Sequence, residues 1–164
     1  MTIVDKIRNS IQAELGATFP VYYHDDPTLN LLTSQMDFPC ALVTLITEGR
    51  AVQEGGTLKE IVSSAIFFVE KSDFDFEADA NEVIIDRCKQ RAFAWLNGLG
   101  ADPWLTLYNL NRTRRVYDQY DDILTGFGVF VDLKENEGFC DFPPEPDPEP
   151  TPEPGNYENE NEQP

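Results

Sequence analysis

The spacing of apolar residues predicts an amphipathic helix near the start of the chain. In TIVDKIRNSIQAELG the apolar residues recur every three or four positions: Val4, Ile7, Ile11 and Leu15. That period places them on one face of a helix. Thr2 can cap the helix in a box with Asp5, and Gly16 is the residue type expected just beyond its end. We therefore predict a helix that packs one face against a core.

A second helix is predicted for the segment ANEVIIDRCKQRAFAWLNGLG. Its apolar face is formed by Ile84, Cys88, Ala92 and residues 95–99. Asp79 precedes the segment and can form a variant of the capping box with Glu82. Gly98 and Gly100 signal its end. We expect Cys88 to lie in the core as a small apolar residue, because a reactive thiol needs a cationic and exposed setting.

Runs of apolar and β-branched residues predict several strands. The predicted strands cover residues 21–23, 40–48, 58–71, 103–110, 113–121 and 122–134. We expect the second and third of these to form a long antiparallel hairpin with a long, mobile loop around Gly55 and Gly56. In the last strand, Gly126 and Gly128 fall on the same face. That pattern is typical of a bulge or of the close approach of another backbone.

The order of these elements predicts an α+β fold. We expect an antiparallel sheet with a long β-hairpin and two helices packed on one face, in a domain of residues 1–138. A domain of this length buries roughly two-thirds of its unfolded surface, which is enough for a core. The predicted strands are longer than the roughly five to six residues of an average strand. We therefore expect the sheet to continue into a neighbouring subunit.

Residues 139–164 form a C-terminal arm of different composition. Its last 24 residues, 141–164, hold eight acidic residues, eight prolines and no Lys or Arg. Proline fixes φ and removes a backbone donor, so an extended polyproline II chain is favoured, and charge repulsion extends it further. The arm has almost no apolar surface to offset the entropy of ordering. Two interpretations stay open: a disordered, solvated end, or an extended acidic arm that lies along a groove of a partner.

The charge of the chain limits its classes of partner. The formal net charge is −18, with 12 basic and 30 acidic residues. Tight binding to nucleic acid needs clustered Lys and Arg, so we expect DNA only as passing cargo. No stretch approaches the roughly 20 apolar residues of a membrane span, and the N-terminal segment lacks the pattern of a signal peptide. Three cysteines without a CxxC pattern favour a reducing, intracellular origin.

No segment carries a recognisable catalytic motif. We therefore predict no catalytic residue, no cofactor and no metal site, and we expect that the chain is not an enzyme. The one histidine lies in His24-Asp25-Asp26, where adjacent side chains point apart and the following proline favours a turn. An acid–base or metal centre built on His24 is the alternative to that turn. The alternating acids of residues 73–77 lack the glycine and glutamate positions of a calcium loop.

Contacts with partner proteins are predicted at four places along the chain. The predicted residues are Arg50, Gln53 and Glu54 near the hairpin loop, Phe74 and Phe76 before the second helix, the cluster Arg112, Arg114 and Arg115, and Pro144, Pro146 and Pro148 of the arm. Exposed aromatic side chains and arginines are enriched at the energetic centres of interfaces. The arginine cluster has two interpretations. It is either a clamp on carboxylates of a neighbouring subunit, or it pairs within the chain with Asp118, Asp121 or Asp122.

The element order resembles that of bacteriophage tail-terminator and head–tail neck proteins. The resemblance covers about residues 1–135 and includes the long hairpin CALVTLITE…LKEIVSSAIFFVEK, the helix ANEVIIDRCKQRAFAWLNGL and closing strands that end in YDDILTGFGVFVDL. It includes no catalytic motif. The acidic arm is not part of the family pattern, so no role for the arm follows from the resemblance.

What the resemblance implies is a structural protein of the virion, assembled in the cytoplasm of the bacterial host. Proteins of this family form six- or twelve-fold rings around a DNA channel, with the sheet facing inward. The partners are then further copies of the chain and adjacent neck, portal-adaptor or tail proteins. An acidic surface repels phosphate and lets DNA pass. The alternative class is a protein-binding module that captures a partner through its C-terminal arm.

Overall fold

The computed structural model describes residues 1–24, 35–46, 48–72, 79–119 and 124–138. The elements are helix α1 (Ile3–Leu15), strands β1 (Val21–His24), β2 (Cys40–Thr44), β3 (Gly49–Glu54) and β4 (Thr57–Lys71), helix α2 (Asp79–Gly98), and strands β5 (Leu105–Gln119) and β6 (Leu124–Glu135). The arm, residues 139–164, lies outside the described part of the chain, so the predicted boundary at residue 138 stays a prediction.

The described strands form one six-stranded, mostly antiparallel sheet. Its order is β1-β2-β4-β6-β5, and β3 also pairs with β4. β6 borders one side of β4, while the other side is shared by β3, along residues 57–62, and β2, along residues 66–69. β1 and β2 run parallel, and all the other described pairs are antiparallel. The predicted α+β class is confirmed.

The prediction of a long loop in the hairpin is wrong. β3 occupies most of the stretch, and Gly55 and Gly56 form a two-residue turn with φ values of 60° and 83°. Glycine adopts positive φ without steric cost, so two consecutive glycines favour this tight hairpin turn. The side chains of β3 are mostly exposed on both faces. The strand therefore has no apolar alternation by which the sequence could indicate it.

The first strand of the predicted hairpin also ends earlier than expected, at Thr44 rather than at Glu48. The Thr44 hydroxyl accepts from the Ala65 N–H and donates to the Ala65 carbonyl, each over 3.2 Å. The Thr44 side chain thus takes the place of a β2 backbone partner for Ala65 of β4. Backbone pairing resumes where the Ser63 N–H donates to the Glu48 carbonyl over 3.3 Å. The predicted strand is therefore divided into β2 and β3.

The two strands predicted at residues 103–110 and 113–121 are a single strand, β5. β6 pairs along its whole length, with three irregularities in the register, at residues 107–109, 110–112 and 116–119. Bulges of this kind bend and twist a strand without ending it. The polar stretch NRTRR in its middle indicated a break, but pairing with the apolar β6 carries the strand through it.

The predicted boundaries of α1 are confirmed by its caps. The Thr2 hydroxyl accepts from the Asp5 N–H, and the Asp5 carboxylate accepts from the Thr2 N–H, each over 3.2 Å. The Thr2 hydroxyl also donates to the Asp5 carboxylate over 2.7 Å, and this hydrogen bond together with that from the Thr2 N–H lowers the pKa of Asp5. At the other end, Gly16 has a φ of 108° and donates its N–H to the Gln12 carbonyl.

Both helices pack on one face of the sheet, as predicted. The core contains Ile7 and Ile11 of α1, Ile85, Cys88, Ala92, Trp95 and Leu96 of α2, and Val62, Ile66, Phe68, Phe127, Val129, Val131 and Leu133 of the sheet. The Trp95 indole N–H donates to the Ser10 hydroxyl over 2.9 Å, which joins the two helices. Ile85 is fully buried, whereas the predicted Ile84 is only partly buried against the core. The other predicted apolar members of this face, Cys88, Ala92, Trp95, Leu96 and Leu99, are buried as predicted, so the difference is confined to one position.

Gly126 and Gly128 lie on the face of β6 that is turned away from the helices, because alternate residues of β6 point into the core. A Cβ atom on Gly126 would lie 2.1 Å from the Phe68 carbonyl oxygen and 2.9 Å from the Val69 Cα atom. A Cβ atom on Gly128 would instead meet the Phe67 ring at 2.5 Å. The predicted close approach of another backbone is confirmed at Gly126.

Candidate interaction surface

The sheet face opposite the helices is only partly covered. At one end Met36, Cys40, Leu42, Val69 and Leu124 form a small second core. The remainder, which we call the open face, is marked by Arg50, Tyr108, Arg112, Arg114 and Phe130. The Arg50 guanidinium lies 5.1 Å from the centre of the Tyr108 ring, and that of Arg112 lies 3.9 Å from the centre of the Phe130 ring. Arg114 is paired with Gly128 of β6, and both residues lie on the sheet face opposite the helices.

Two shallow depressions adjoin on the open face. They have volumes of about 210 and 190 Å³. Arg50 and Asp132 line the first, Phe130 lines the second, and Glu48 and Ser63 line both. Because they share these walls, the two depressions lie side by side on the open face.

The acidic side chains of the open face are largely engaged by neighbours. The Asp132 carboxylate accepts from the Ser63 hydroxyl over 2.7 Å and from the Asn111 amide over 3.0 Å. Lys134 donates to both carboxylate oxygens of Glu54, over 2.9 and 3.0 Å. In the described part of the chain, Arg112 and Arg114 have no carboxylate partner. The open face therefore presents guanidinium groups that are free to bind a further anion.

The structure separates the members of the predicted arginine cluster. Arg115 points to the helical side and contacts both carboxylate oxygens of Glu82 on α2, at 3.0 and 2.9 Å. The Tyr117 hydroxyl donates to the same carboxylate over 2.7 Å. Arg115 thus pairs within the chain with a helix residue. The Asp121 and Asp122 proposed from the sequence lie outside the described part of the chain, so pairing with them stays a prediction. Arg112 and Arg114 lie on the opposite face.

The predicted contact residues of the hairpin are exposed near its tip. Gln53 is exposed, Arg50 stacks on Tyr108, and Glu54 pairs with Lys134 and with Lys59. The hydrogen bond from Lys134 lowers the pKa of Glu54. Two of the three residues are therefore held in place by contacts within the chain, which fixes the shape of the tip.

Five predicted contact residues lie outside the described part of the chain. They are Phe74, Phe76, Pro144, Pro146 and Pro148. Asp25 and Asp26 also lie outside it, while His24 is the last residue of β1. The interpretation of that histidine as a turn residue or as part of a site stays a prediction.

Sequence reasoning missed the aromatic members of the open face, Tyr108 and Phe130. Tyr108 is 50% exposed. A signal for Phe130 was present, because it alternates with Gly128 and Asp132 on the face of β6 that points away from the core. Tyr108 gave no signal, since it lies beside a bulge whose position depends on pairing with β6.

The described cysteines have the properties of core residues. Burial raises the pKa of Cys40 to about 12, and burial together with the charge of Glu70 raises that of Cys88 to about 12. Thiols with such values are not nucleophiles at neutral pH. Among the described residues, no group of three His, Cys, Asp or Glu side chains is placed to hold a metal ion.

An ion-pair network fastens α2 to β4. The Glu70 carboxylate accepts from Arg91 and, over 2.7 Å, from Arg87. Its side chain is only 15% exposed. Burial alone would raise the pKa of Glu70, but the hydrogen bonds from Arg87 and Arg91 outweigh it and lower the pKa. The network sits beside the core and fastens the middle of the helix to the sheet.

Replacing Glu70 with glutamine is expected to lower the free energy of unfolding at pH 7 by about 1–3 kcal/mol, because hydrogen bonds to a charged group are lost. A carboxylate with a lowered folded pKa contributes stability that is complete above its unfolded value of 4.5 and is lost as the pH falls through the folded pKa. Urea unfolding at steps from pH 7 to pH 3 should therefore show the difference shrinking below about pH 4.5.

The matched control for this test is Glu82→Gln, which removes the exposed pair with Arg115. Exposed ion pairs contribute about 0–1 kcal/mol, so its effect at pH 7 should be smaller. A Glu70→Gln difference that is constant over the whole pH range would contradict the role given to the charge.

Comparison with known proteins places the chain in no family. No family model matches it, and no curated protein matches it. None of the described helices combines the length and the apolar character that crossing a bilayer requires.

Proposed function

We propose that the chain is a structural subunit of a tailed-bacteriophage virion. In this proposal it forms a homo-oligomeric ring at the head–tail junction, as a tail-terminator or neck protein, around the channel through which DNA passes. The observation that carries the proposal is a sheet with two different free edges, β5 on one side and β3 together with β1 on the other. Within the described residues, neither edge pairs with a further strand.

Two different edges favour a head-to-tail contact between subunits. When one edge of a subunit binds the other edge of the next, the contact is heterologous and generates a ring if the rotation closes. Addition of a strand to an open edge is a common mode of protein recognition. In β5, residues 108–115 are exposed on both faces, so a neighbour can reach the edge and its flanking side chains. The three irregularities of β5 limit regular pairing to short intervals and so disfavour uncontrolled stacking.

The hairpin of β3 and β4 supports contacts between adjacent rings. Residues 57–60 of β4 pair with β3 alone, so the tip extends past the end of β6. Its tight turn and its ion pairs hold it in a defined shape. A rigid projection of this kind suits insertion against a neighbouring ring.

The charge of the chain supports passage of DNA. At −18 in total, the repeated negative field of a ring would repel phosphates and prevent DNA from adhering to the wall. The guanidinium groups of the open face do not form the long basic stripe that a nucleic-acid site needs.

Native mass spectrometry and sedimentation are expected to find a defined species of six or twelve copies of the 18.6-kDa chain, either alone or on isolated neck rings. A shortened hairpin that removes two facing pairs should fold but no longer add to isolated neck rings. The deleted residues are Gln53, Glu54, Thr57 and Leu58, which leaves the glycine turn and the register intact.

The control variant is Lys89→Ala, an exposed change on α2 that should leave assembly unaltered. A chain that stays monomeric at every concentration and does not add to neck rings would contradict the proposal. Normal assembly of the shortened variant would instead remove the hairpin from the contacts and leave the ring itself standing.

A further inference from the structure

The open face combines aromatic rings with guanidinium groups. Tyr108 is half exposed and carries Arg50 on its ring, while Phe130 carries Arg112. Proline-rich segments bind on aromatic-lined grooves. Arginine binds carboxylates through paired hydrogen bonds. Together these groups have the chemistry of a site for a peptide that is both proline-rich and acidic.

The local charge of the open face differs in sign from that of the chain. Among the described residues, the open face carries three guanidinium groups, those of Arg50, Arg112 and Arg114, and two carboxylates that are not paired with a lysine, those of Glu48 and Asp132. The Asp132 carboxylate already accepts hydrogen bonds from Ser63 and Asn111. The pair of Lys134 and Glu54 is neutral in sum. In a chain of net charge −18, this face is therefore a local attractor for negative charge.

The chain itself contains a peptide that matches this chemistry. In PPEPDPEPTPEP, prolines alternate with acidic residues, and residues 141–164 hold no Lys or Arg that would oppose binding to the open face. Each proline supplies a rigid apolar ring, and an extended proline-rich chain loses little entropy when it binds.

The arm is long enough to reach the open face of its own chain. Gly138, the last described residue, lies against Thr57 and Leu58 of the hairpin. From there to Phe130 is about eight strand residues, or roughly 26 Å at 3.3 Å per residue. The 24 residues from 141 to 164 span roughly 74 Å in polyproline II form at 3.1 Å per residue. A tether of this length also gives an effective local concentration on the order of millimolar.

We infer that the arm of residues 141–164 docks on the open face of its own chain, with proline rings against Tyr108 and Phe130 and carboxylates against Arg112 and Arg114. The inference does not depend on the proposed ring. The docked arm would cover the part of the open face next to the β5 edge.

Zero-length cross-linking of the full-length chain tests the inference. Arg112→Lys and Arg114→Lys keep the charge and supply amines that a carbodiimide couples to nearby carboxylates. An equal mixture of ¹⁴N- and ¹⁵N-labelled chains is cross-linked, and the joined peptides are identified by mass spectrometry. The matched control is Arg115→Lys, on the opposite face of the same strand, where Glu82 is the nearby carboxylate.

We expect arm cross-links to be at least tenfold more frequent at positions 112 and 114 than at 115, and to join only chains of the same isotope. Similar yields at all three positions would overturn the docking site. Cross-links that join light to heavy chains would place the arm on a neighbouring subunit and overturn docking within the chain. Both readouts are independent of whether six or twelve copies assemble, so they can fail while the proposed ring stands.

A second measurement uses a variant that is changed only in the arm, so that the sequence of residues 1–138 stays the same. Neutralising the arm by Glu145→Gln, Asp147→Asn and Glu149→Gln should shift the backbone amide NMR signals of Arg112, Arg114 and Phe130 but not that of Arg115. Unchanged signals at the open face would overturn the inference.

Discussion

Replacing Gly126 with alanine is expected to lower the free energy of unfolding by about 3 kcal/mol, the upper part of the range for overpacking. The added methyl group would lie 2.1 Å from the Phe68 carbonyl oxygen and 2.9 Å from the Val69 Cα atom. Both atoms belong to the backbone of the central strand β4. They can move only if the β4–β6 ladder itself moves, so the clash cannot be relieved by a rotamer change.

Gly128→Ala is the matched control for this prediction. Its methyl group would meet the ring of Phe67, a half-buried side chain that can turn aside. We expect a cost of about 1 kcal/mol, the low end of overpacking effects. Urea unfolding of both variants, followed by circular dichroism, gives the comparison. Equal effects at the two positions would contradict the backbone contact at Gly126.

Replacing Lys6 with methionine is expected to lower the free energy of unfolding by about 3–5 kcal/mol, because it leaves a buried carboxylate without its partner. Lys6 and Glu135 are 5% and 3% exposed, and their charged atoms lie 3.0 Å apart. Glu137 adds a second contact at 3.4 Å. Burial alone would lower the pKa of Lys6, but the hydrogen bond to Glu135 outweighs it and raises the pKa above 10.5. Because the folded pKa of Lys6 is raised, its charge contributes full stability below pH 10.5 and loses that contribution as the pH rises through the folded pKa.

The double variant Lys6→Met with Glu135→Met separates the effect of an unpaired buried charge from the effect of lost side-chain packing. Replacing a buried ion pair by apolar residues is often neutral or stabilising, so most of the lost stability should return. The measurement is the midpoint of urea unfolding for the wild type, the single variant and the double variant. If the double variant is as unstable as the single one, the loss comes from packing of the lysine stem and not from an unpaired charge.

The helices and the class of the fold could be predicted because their signals are local. The Thr2–Asp5 box, the apolar period of α1 and the face of α2 all lie within a few turns of helix. Even so, Ile85 and not Ile84 is fully buried, because both lie along the apolar stripe and packing against the sheet decides which of them points into the core.

The strands were harder to predict from the sequence, because β3 and the middle of β5 are stabilised mainly by pairing with a neighbouring strand. Their side chains are mostly exposed, so no apolar alternation marks them, and pairing with β4 and β6 supplies the missing stability. The candidate interaction surface was hard to predict for the same reason, because it also depends on strand pairing. Arg115 separates from Arg112 and Arg114 only through the alternation of a strand whose bulges the sequence does not indicate. Its partner Glu82 lies on a helix 33 residues earlier.

The order of the strands in the sheet has a consequence for the nascent chain. β4 lies in the middle of the sheet, but its partner β6 is the last element of the described domain to be synthesised, after α2 and β5. Until β6 emerges from the ribosome, one edge of a strand that contains AIFFV has no backbone partner. Such an edge is prone to pair with other unfinished chains. Polypeptides that end before β6 should therefore aggregate, and the domain is completed only when β6 pairs with β4.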